Sequence, residues 1–248
     1  MVRPSPPIHV GTAGWSLPRE AQPAFPAEGT HLERYAARLP AVEINSSFYR
    51  PHRPSTYARW AASVPPDFRF AVKVPKAITH AARLVGAEPL LDAFLAEATA
   101  LGDRLGCLLV QLPPSLAFDE AVAERFYLAL RERFDGPVAI EPRHATWFER
   151  DAEALALEAR VARVAADPPR DPRDGVPGGW AGLVYYRLHG APRIYYSDYD
   201  AAYLAALAER LAAHARDGTA VWCIFDNTAL GAATANALDV VGRLGLDE

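Results

Sequence analysis

Short apolar runs rich in β-branched residues alternate with alanine- and leucine-rich stretches along nearly the whole chain. The runs at 9–13, 41–45, 68–74, 107–112, 138–143, 161–167, 183–189 and 221–227 have the length and composition of buried strands. The stretches at 32–39, 56–63, 88–105, 120–134, 152–159, 202–216 and 232–244 repeat apolar residues with the period of one helix face. End signals agree with this division. Ser55, Asp119, Asp151 and Asp200 stand at helix starts, where a short polar side chain accepts from free N–H groups. Gly106, Gly136 and Gly218 follow helices and precede strands, where a left-handed residue belongs. The alternation fails once: the proline- and glycine-rich stretch 167–179 predicts a loop in place of the sixth helix.

Strands joined by helix-length crossovers pair in parallel, because antiparallel neighbours can use short hairpins. Eight of them in 248 residues predict an α/β chain folded as a single (β/α)8 TIM-type barrel, one domain over 1–248; such barrels take about 250 residues. An open doubly wound sheet is the rival, but neither Gly-x-Gly-x-x-Gly nor a Gly-Lys-Ser/Thr loop occurs. Half the residues are apolar, enough for a substantial core, and the net charge of −4 argues against a general nucleic-acid coat or a membrane-surface binder. No apolar stretch approaches the ~18 residues that span a bilayer. The opening Met-Val-Arg-Pro-Ser-Pro-Pro has no signal-peptide core, so a cytoplasmic protein is expected. Cys107 and Cys223 lie in apolar runs without disulfide or zinc spacing and read as buried thiols.

Polar residues gather where the strands end. Glu43 and Asn45 close the second strand, Lys73 the third, Gln111 the fourth, and Glu141, Arg143 and His144 the fifth. Asp167 closes the sixth, Arg187 and His189 the seventh, and Asp226 and Asn227 the eighth. Residues two apart share a strand face, so Glu43 with Asn45, Glu141 with Arg143 and Arg187 with His189 form same-face pairs. Strand ends also lie near solvent and tolerate charge, but that account places polar residues at both ends of strands. Barrel sites lie at the C-terminal face, which favours a functional pocket there.

These motifs resemble the YecE-like family of unknown function. The resemblance rests on Gly11-Thr-Ala-Gly-Trp-Ser16, Val42-Glu-Ile-Asn-Ser-Ser-Phe-Tyr49, Phe70-Ala-Val-Lys-Val-Pro75 with Thr79-His80, and Leu109-Val-Gln-Leu-Pro-Pro-Ser115. Glu141-Pro-Arg-His144 with Trp147, Tyr186-Arg-Leu-His-Gly190, and Phe225-Asp-Asn-Thr228 with Ala235-Asn-Ala237 extend it over nearly the whole chain. It implies a TIM-barrel-like fold and leaves the reaction open. Two positions depart from the family pattern. Phe225-Asp-Asn-Thr228 stands where the family often reads Phe-Asn-Asn-Asp, and Pro142 replaces an aromatic residue.

The rim sets Glu43, Glu141, Asp167 and Asp226 against Lys73, Arg143 and Arg187, with His80, His144 and His189 able to titrate. This mixture points to a hydrolase or lyase acting on a small phosphorylated or sugar-like ligand. In it Glu43, Glu141, His189 and Asp226 carry acid–base chemistry, and Arg143, Arg187 and Lys73 hold anionic groups. Trp15, Asn45, Tyr49, His80, Gln111, His144, Trp147, Asp167 and Asn227 complete the candidate ligand contacts. Phe48, Tyr195, Tyr196 and Tyr199 join the aromatic loop residues able to stack on a sugar or base. A salt bridge to Glu43 or Glu141 is expected to keep Lys73 charged; a Schiff-base role for Lys73 is the alternative. No cofactor is assigned. A divalent metal on Glu43, Glu141, Asp167 or Asp226 with His144 or His189 is an option, although Lys73, Arg143 and Arg187 compete for the same carboxylates. Two further readings stay open: a nucleic-acid-binding or phosphodiester-processing protein, and a non-catalytic metabolite sensor.

Overall fold

The computed structural model describes residues 7–246. Residues 1–6, which carry the expectation about a signal peptide, lie outside the described residues. Strand and helix alternate as the periodicity predicts: β1 (Ile8–Ala13), α1 (His31–Ala36), β2 (Ala41–Ile44), α2 (Pro54–Ala62), β3 (Arg69–Lys73) and α3 (Glu88–Ala98). Then follow β4 (Leu105–Gln111), α4 (Glu120–Arg131), β5 (Val138–Glu141), α5 (Arg150–Glu158), β6 (Val161–Arg163), β7 (Ala165–Asp167) and β8 (Gly178–Gly179). The chain ends with β9 (Leu183–Leu188), α6 (Ala201–Arg216), β10 (Ala220–Phe225) and α7 (Ala232–Leu244). No described helix is long and apolar enough to cross a membrane.

The ten strands form one sheet in the order β7-β9-β10-β1-β2-β3-β4-β5-β6-β8. All neighbours are parallel except β6 and β8. The sheet is nearly closed into a barrel. β6 pairs with β5 and β7 with β9, and only Val164 separates β6 from β7. The expected strand 161–167 is therefore two short strands, because its halves hydrogen-bond to different neighbours. The Val164 amide still donates to the Ile140 carbonyl at 2.9 Å.

Between β7 and β9 there is no α-helix, and β8 was not foreseen. Arg163 pins this loop: its guanidinium pairs with Glu153 and donates to the carbonyls of Arg173 (2.9 Å) and Val176 (3.1 Å).

Local chemistry explains the element ends, with corrections. Asp119 and Asp200 cap α4 and α6, accepting from the amides of Val122 (3.0 Å) and Tyr203 (2.8 Å). Ser55 lies inside α2 because Pro54 already opens the helix, and Asp151 sits in the first turn of α5 behind Glu149. The expected helix 88–105 stops at Ala98, and Gly102, at φ 55°, breaks the 3-10 turn that follows. Gly218 is left-handed at φ 88° as expected. Gly106 instead lies in β4, where a Cβ would meet the Trp222 ring at 2.6 Å; close approach, not a turn, requires the glycine.

Alternation splits the core into two faces. Val42, Val72, Val110 and Ile140 pack outward against the helices. The opposite parity, Ala41, Ala71, Leu109, Ala139, Tyr185 and Trp222, forms a separate inner cluster. Two residues further along five of these six strands, that inner face turns polar; on β10 Ile224 keeps it apolar up to Asp226.

Candidate functional site

The inner face ends in Glu43 on β2, Lys73 on β3, Gln111 on β4, Glu141 on β5 and Arg187 on β9. His189 and Asp226 follow β9 and β10 directly. Period-2 alternation puts these side chains on one face; the register sets Glu43 opposite Ala71 and Lys73 opposite Leu109, and long side chains bring the charged ends together. Glu43, Glu141 and Arg187 are fully buried, and Lys73, His189 and Asp226 nearly so.

Arg187 is the hub. Its Nη2 lies 2.7 Å from Glu43 Oε1 and 3.0 Å from Asp226 Oδ2, Nε donates to Glu43 Oε2 at 3.0 Å, and Nη1 reaches Glu141 Oε2 at 3.1 Å. Tyr185 donates its hydroxyl to Glu43 Oε2 at 2.9 Å, and Gln111 donates to Glu141 Oε2 at 2.8 Å. His189 bridges two carboxylates: Nε2 is 2.9 Å from Glu141 Oε1, and Nδ1 is 3.0 Å from Asp226 Oδ2. Arg143 Nη2 reaches the same Glu141 oxygen and lies 3.2 Å from His189 Nε2.

Burial alone would neutralise these groups, since desolvation penalises every charged form. The arrangement reverses that. Burial pulls Arg187 down, but the charges of Asp226, Glu43 and Glu141 outweigh it and hold the guanidinium charged. Burial pushes Glu141 up, and the Arg187, Arg143 and His189 charges carry it well below the usual carboxylate range. Asp226 is lowered in the same way, against its burial, mainly by Arg187. His189 rises above its ordinary value: burial opposes its charge, but the Glu141 charge and hydrogen bonds to both carboxylates prevail. A carboxylate at each ring nitrogen is the environment of an imidazolium.

Lys73 is the exception. The expected salt bridge to Glu43 or Glu141 is absent; Nζ has no hydrogen-bond or ion-pair partner among the described residues and sits 4.3 Å above the Phe48 ring. Burial lowers its pKa to about 8, with the Arg187 charge acting in the same direction and Glu43, Glu141 and Asp226 pulling against it.

The remaining predicted residues are not drawn into the network. Asp167 accepts the Tyr199 hydroxyl at 2.8 Å, and Asn227 donates to Asn236 and the Ser197 carbonyl, both at 2.9 Å. His144 caps its own turn through Thr146. Trp147 belongs to the core, its indole N–H donating to the Leu116 carbonyl at 2.9 Å. Trp15 packs edge-on against Trp60. Asn45 has a buried Oδ1 without a partner, as does Arg143 at Nε. Tyr49 and His80 line a groove of about 590 Å³ between α3 and the turns after β2 and β3, with Phe48, Lys76, Ile78 and Phe94.

None of Glu43, Glu141, Arg187, His189 or Asp226 lines that groove. The charged side chains therefore converge as a packed network, and the groove lies beside it. No three His, Cys, Asp or Glu side chains are grouped as metal ligands among the described residues. The Arg187 guanidinium takes the place among the carboxylates that a shared cation would need. Sequence reasoning missed Tyr185, which packs flat on Trp222 (centroids 5.9 Å apart) below its bond to Glu43. Its position two residues before Arg187 was the available signal.

The chain is 31% identical over 151 residues to UPF0759 protein YecE of Escherichia coli K12, covering 60% of this chain and 53% of that protein. It is 26% identical over 172 residues to UPF0759 protein YunF of Bacillus subtilis 168, covering 65% and 61%. The alignments thus span only about half to three-fifths of these relatives. The crystal structure of a DUF72 family protein from Enterococcus faecalis V583 superposes with a TM-score of 0.81 at 25% identity, covering 96% of each chain. One from Thermotoga maritima MSB8 gives 0.78 at 23%, covering 96% of this chain and 99% of that one, and shares the fold. The family model described as "Protein of unknown function DUF72" matches residues 9–248, so the chain belongs to the DUF72 family, in agreement with the YecE-like motifs of its sequence.

Proposed function

We propose that the buried cluster is the active site of an enzyme of the hydrolase or lyase type, acting on a small phosphorylated or sugar-like compound. In this reading β6, Val164 and β7 count as one bent strand. The sheet is then a (β/α)8 TIM-type barrel of one domain, with the stretch after Asp167 standing in for the sixth helix, and the site lies at the C-terminal face that such barrels use. Buried free thiols at Cys107 and Cys223 fit a cytoplasmic setting.

The observation that carries the reading is the convergence of buried ionisable groups from β2, β3, β5, β9 and β10 on one point. Such burial is costly and rarely maintained without a role. With His189 as an imidazolium, the carboxylates of Glu43, Glu141 and Asp226 balance Arg187, Arg143 and His189. A protonated Lys73 leaves one positive charge in excess, which a phosphate or carboxylate would neutralise. The unpartnered Nε of Arg143 and Oδ1 of Asn45 supply a donor and an acceptor at the same strand ends.

Roles shift from the sequence expectation. Glu141 is held ionised by three cations and serves as base or charge stabiliser, not as acid. His189 is the proton carrier. The test is thermal melting against a panel of sugar phosphates and free sugars. At least one phosphorylated compound is expected to raise the Tm, since a ligand at 100 times its Kd adds about 2.7 kcal/mol. Arg143→Ala should abolish the shift. An unchanged Tm across the panel would remove the reading.

A further inference from the structure

Within the cluster, every charged side chain but one has its partners. Glu43 is bound by Arg187 and Tyr185; Glu141 by Arg187, Arg143, Gln111 and His189; Asp226 by Arg187 and His189. Lys73 is only 6% exposed yet its amine is bound to none of them. Its backbone is fixed, because the Ser47 hydroxyl donates to the Lys73 carbonyl at 2.6 Å, and its Nζ is held over the Phe48 ring. Arginine at this position could not give up its proton; a lysine can. A salt bridge would spoil an amine nucleophile by keeping it protonated, and the network spends its carboxylates on Arg187 and His189 instead.

Resting on the active-site reading, we propose that the Lys73 amine is a nucleophile that forms a Schiff base with a small aldehyde or ketone carrying a phosphate or carboxylate. The neutral Nζ adds its lone pair to the carbonyl carbon, and the C=O π pair passes to oxygen, which takes a proton. The resulting carbinolamine loses that oxygen as water, the nitrogen giving up its protons, and C=N remains. Amine and carbonyl thus become imine and water, with nothing oxidised or reduced. The anionic group is offered the unpartnered Nε of Arg143, and the imine, once protonated, carries the one positive charge that the anion neutralises. A protonated imine draws electrons from the adjacent carbon, which narrows the reaction to the lyase type, with His189 the nearby proton carrier.

The lowered pKa of Lys73 agrees with this geometry. Arg187, Glu43, Glu141 and Asp226 all act on it, and burial with Arg187 prevails, so much of the amine is neutral near pH 8. His80 faces the Lys73 and Lys76 charges and is lowered by burial and by both.

The chain supplies its own control, because Lys73 and Lys76 are its only lysines, and Lys76 is exposed. The full-length protein is incubated with glyceraldehyde 3-phosphate or with glyoxylate, in the presence of cyanoborohydride, and adducts are located by mass spectrometry. The two compounds distinguish a phosphate from a carboxylate as the anion. The expected result is adduct on Lys73 at least about tenfold above Lys76, with trapping that rises as pH passes through about 8. Lys73→Arg should melt as a folded protein and lose the adduct. Adduct mainly on Lys76 or the N-terminal amine, as simple exposure dictates, would overturn the proposal. Glycerol 3-phosphate, which has no carbonyl, separates the two claims. If it raises the Tm through Arg143 while no Lys73 adduct forms, the amine chemistry fails and the active site stands; if neither occurs, both fail.

Discussion

The inner face of the sheet contains two adjoining layers built on the same strands. The lower one holds Ala41, Ala71, Leu109, Ala139, Tyr185 and Trp222; the upper one, two residues along each of five strands, holds Glu43, Lys73, Gln111, Glu141 and Arg187, with Asp226 just past the end of β10. Both are buried, yet they are held by opposite physics. In the lower layer small alanines leave room for the stacked Tyr185 and Trp222 rings, and apolar burial stabilises without needing any particular partner. In the upper layer every charge costs desolvation and is recovered only through specific, well-placed counter-charges. One layer supplies stability; the other consumes it to hold charges in place.

Removing the hub should break this contrast most visibly. Arg187→Met leaves Glu43, Glu141 and Asp226 buried together without their shared cation, and should cost at least about 3–5 kcal/mol in urea unfolding. The deficit should shrink in acid, where the carboxylates can protonate. Glu141 and Asp226 are held below their ordinary values of 4.5 and 3.8, so the stability they supply is present above that range and lost as pH falls through their folded values. His189 is held above 6.5, so its share is complete below that pH and lost as pH rises through its folded value. The upper layer is thus most stabilising between about 4.5 and 6.5, and His189→Asn should flatten the alkaline side.

Leu109→Ala, in the lower layer, is expected to cost about 2–5 kcal/mol through cavity formation. Its cost should be the same at pH 5 and pH 8. A strongly pH-dependent cost there would dissolve the distinction between the layers.

Lys73→Met carries the smallest effect, with the opposite sign. The folded pKa of about 8 lies below the ordinary 10.5, so below pH 8 the folded state bears the full cost of a buried ammonium. Replacing it should raise stability by up to about 3 kcal/mol at pH 7, a gain that fades as pH rises from about 8 to 10.5. A loss of stability in urea unfolding would mean that the amine is paired after all.

The sequence by itself determined the strand–helix alternation, the stretch without an α-helix between β7 and β9, the family, and the strand ends that carry charge. All of these are local signals: a period, a cap, a proline-rich gap or a contiguous motif. Glu141–Arg143 was legible as a pair because the two stand two residues apart where β5 ends. Tertiary structure alone decided which charges meet. Arg187 binds Glu43 and Glu141 from strands far away in sequence, while Trp147, Asn227 and Asp167, equally plausible at the rim, turn to the core or to neighbouring loops. It also decided that 161–167 splits between two neighbours and that Lys73 stands unpaired. The physical reason is that pairing depends on distance across a nearly closed sheet, and the register that sets this distance is written in no single segment of the chain.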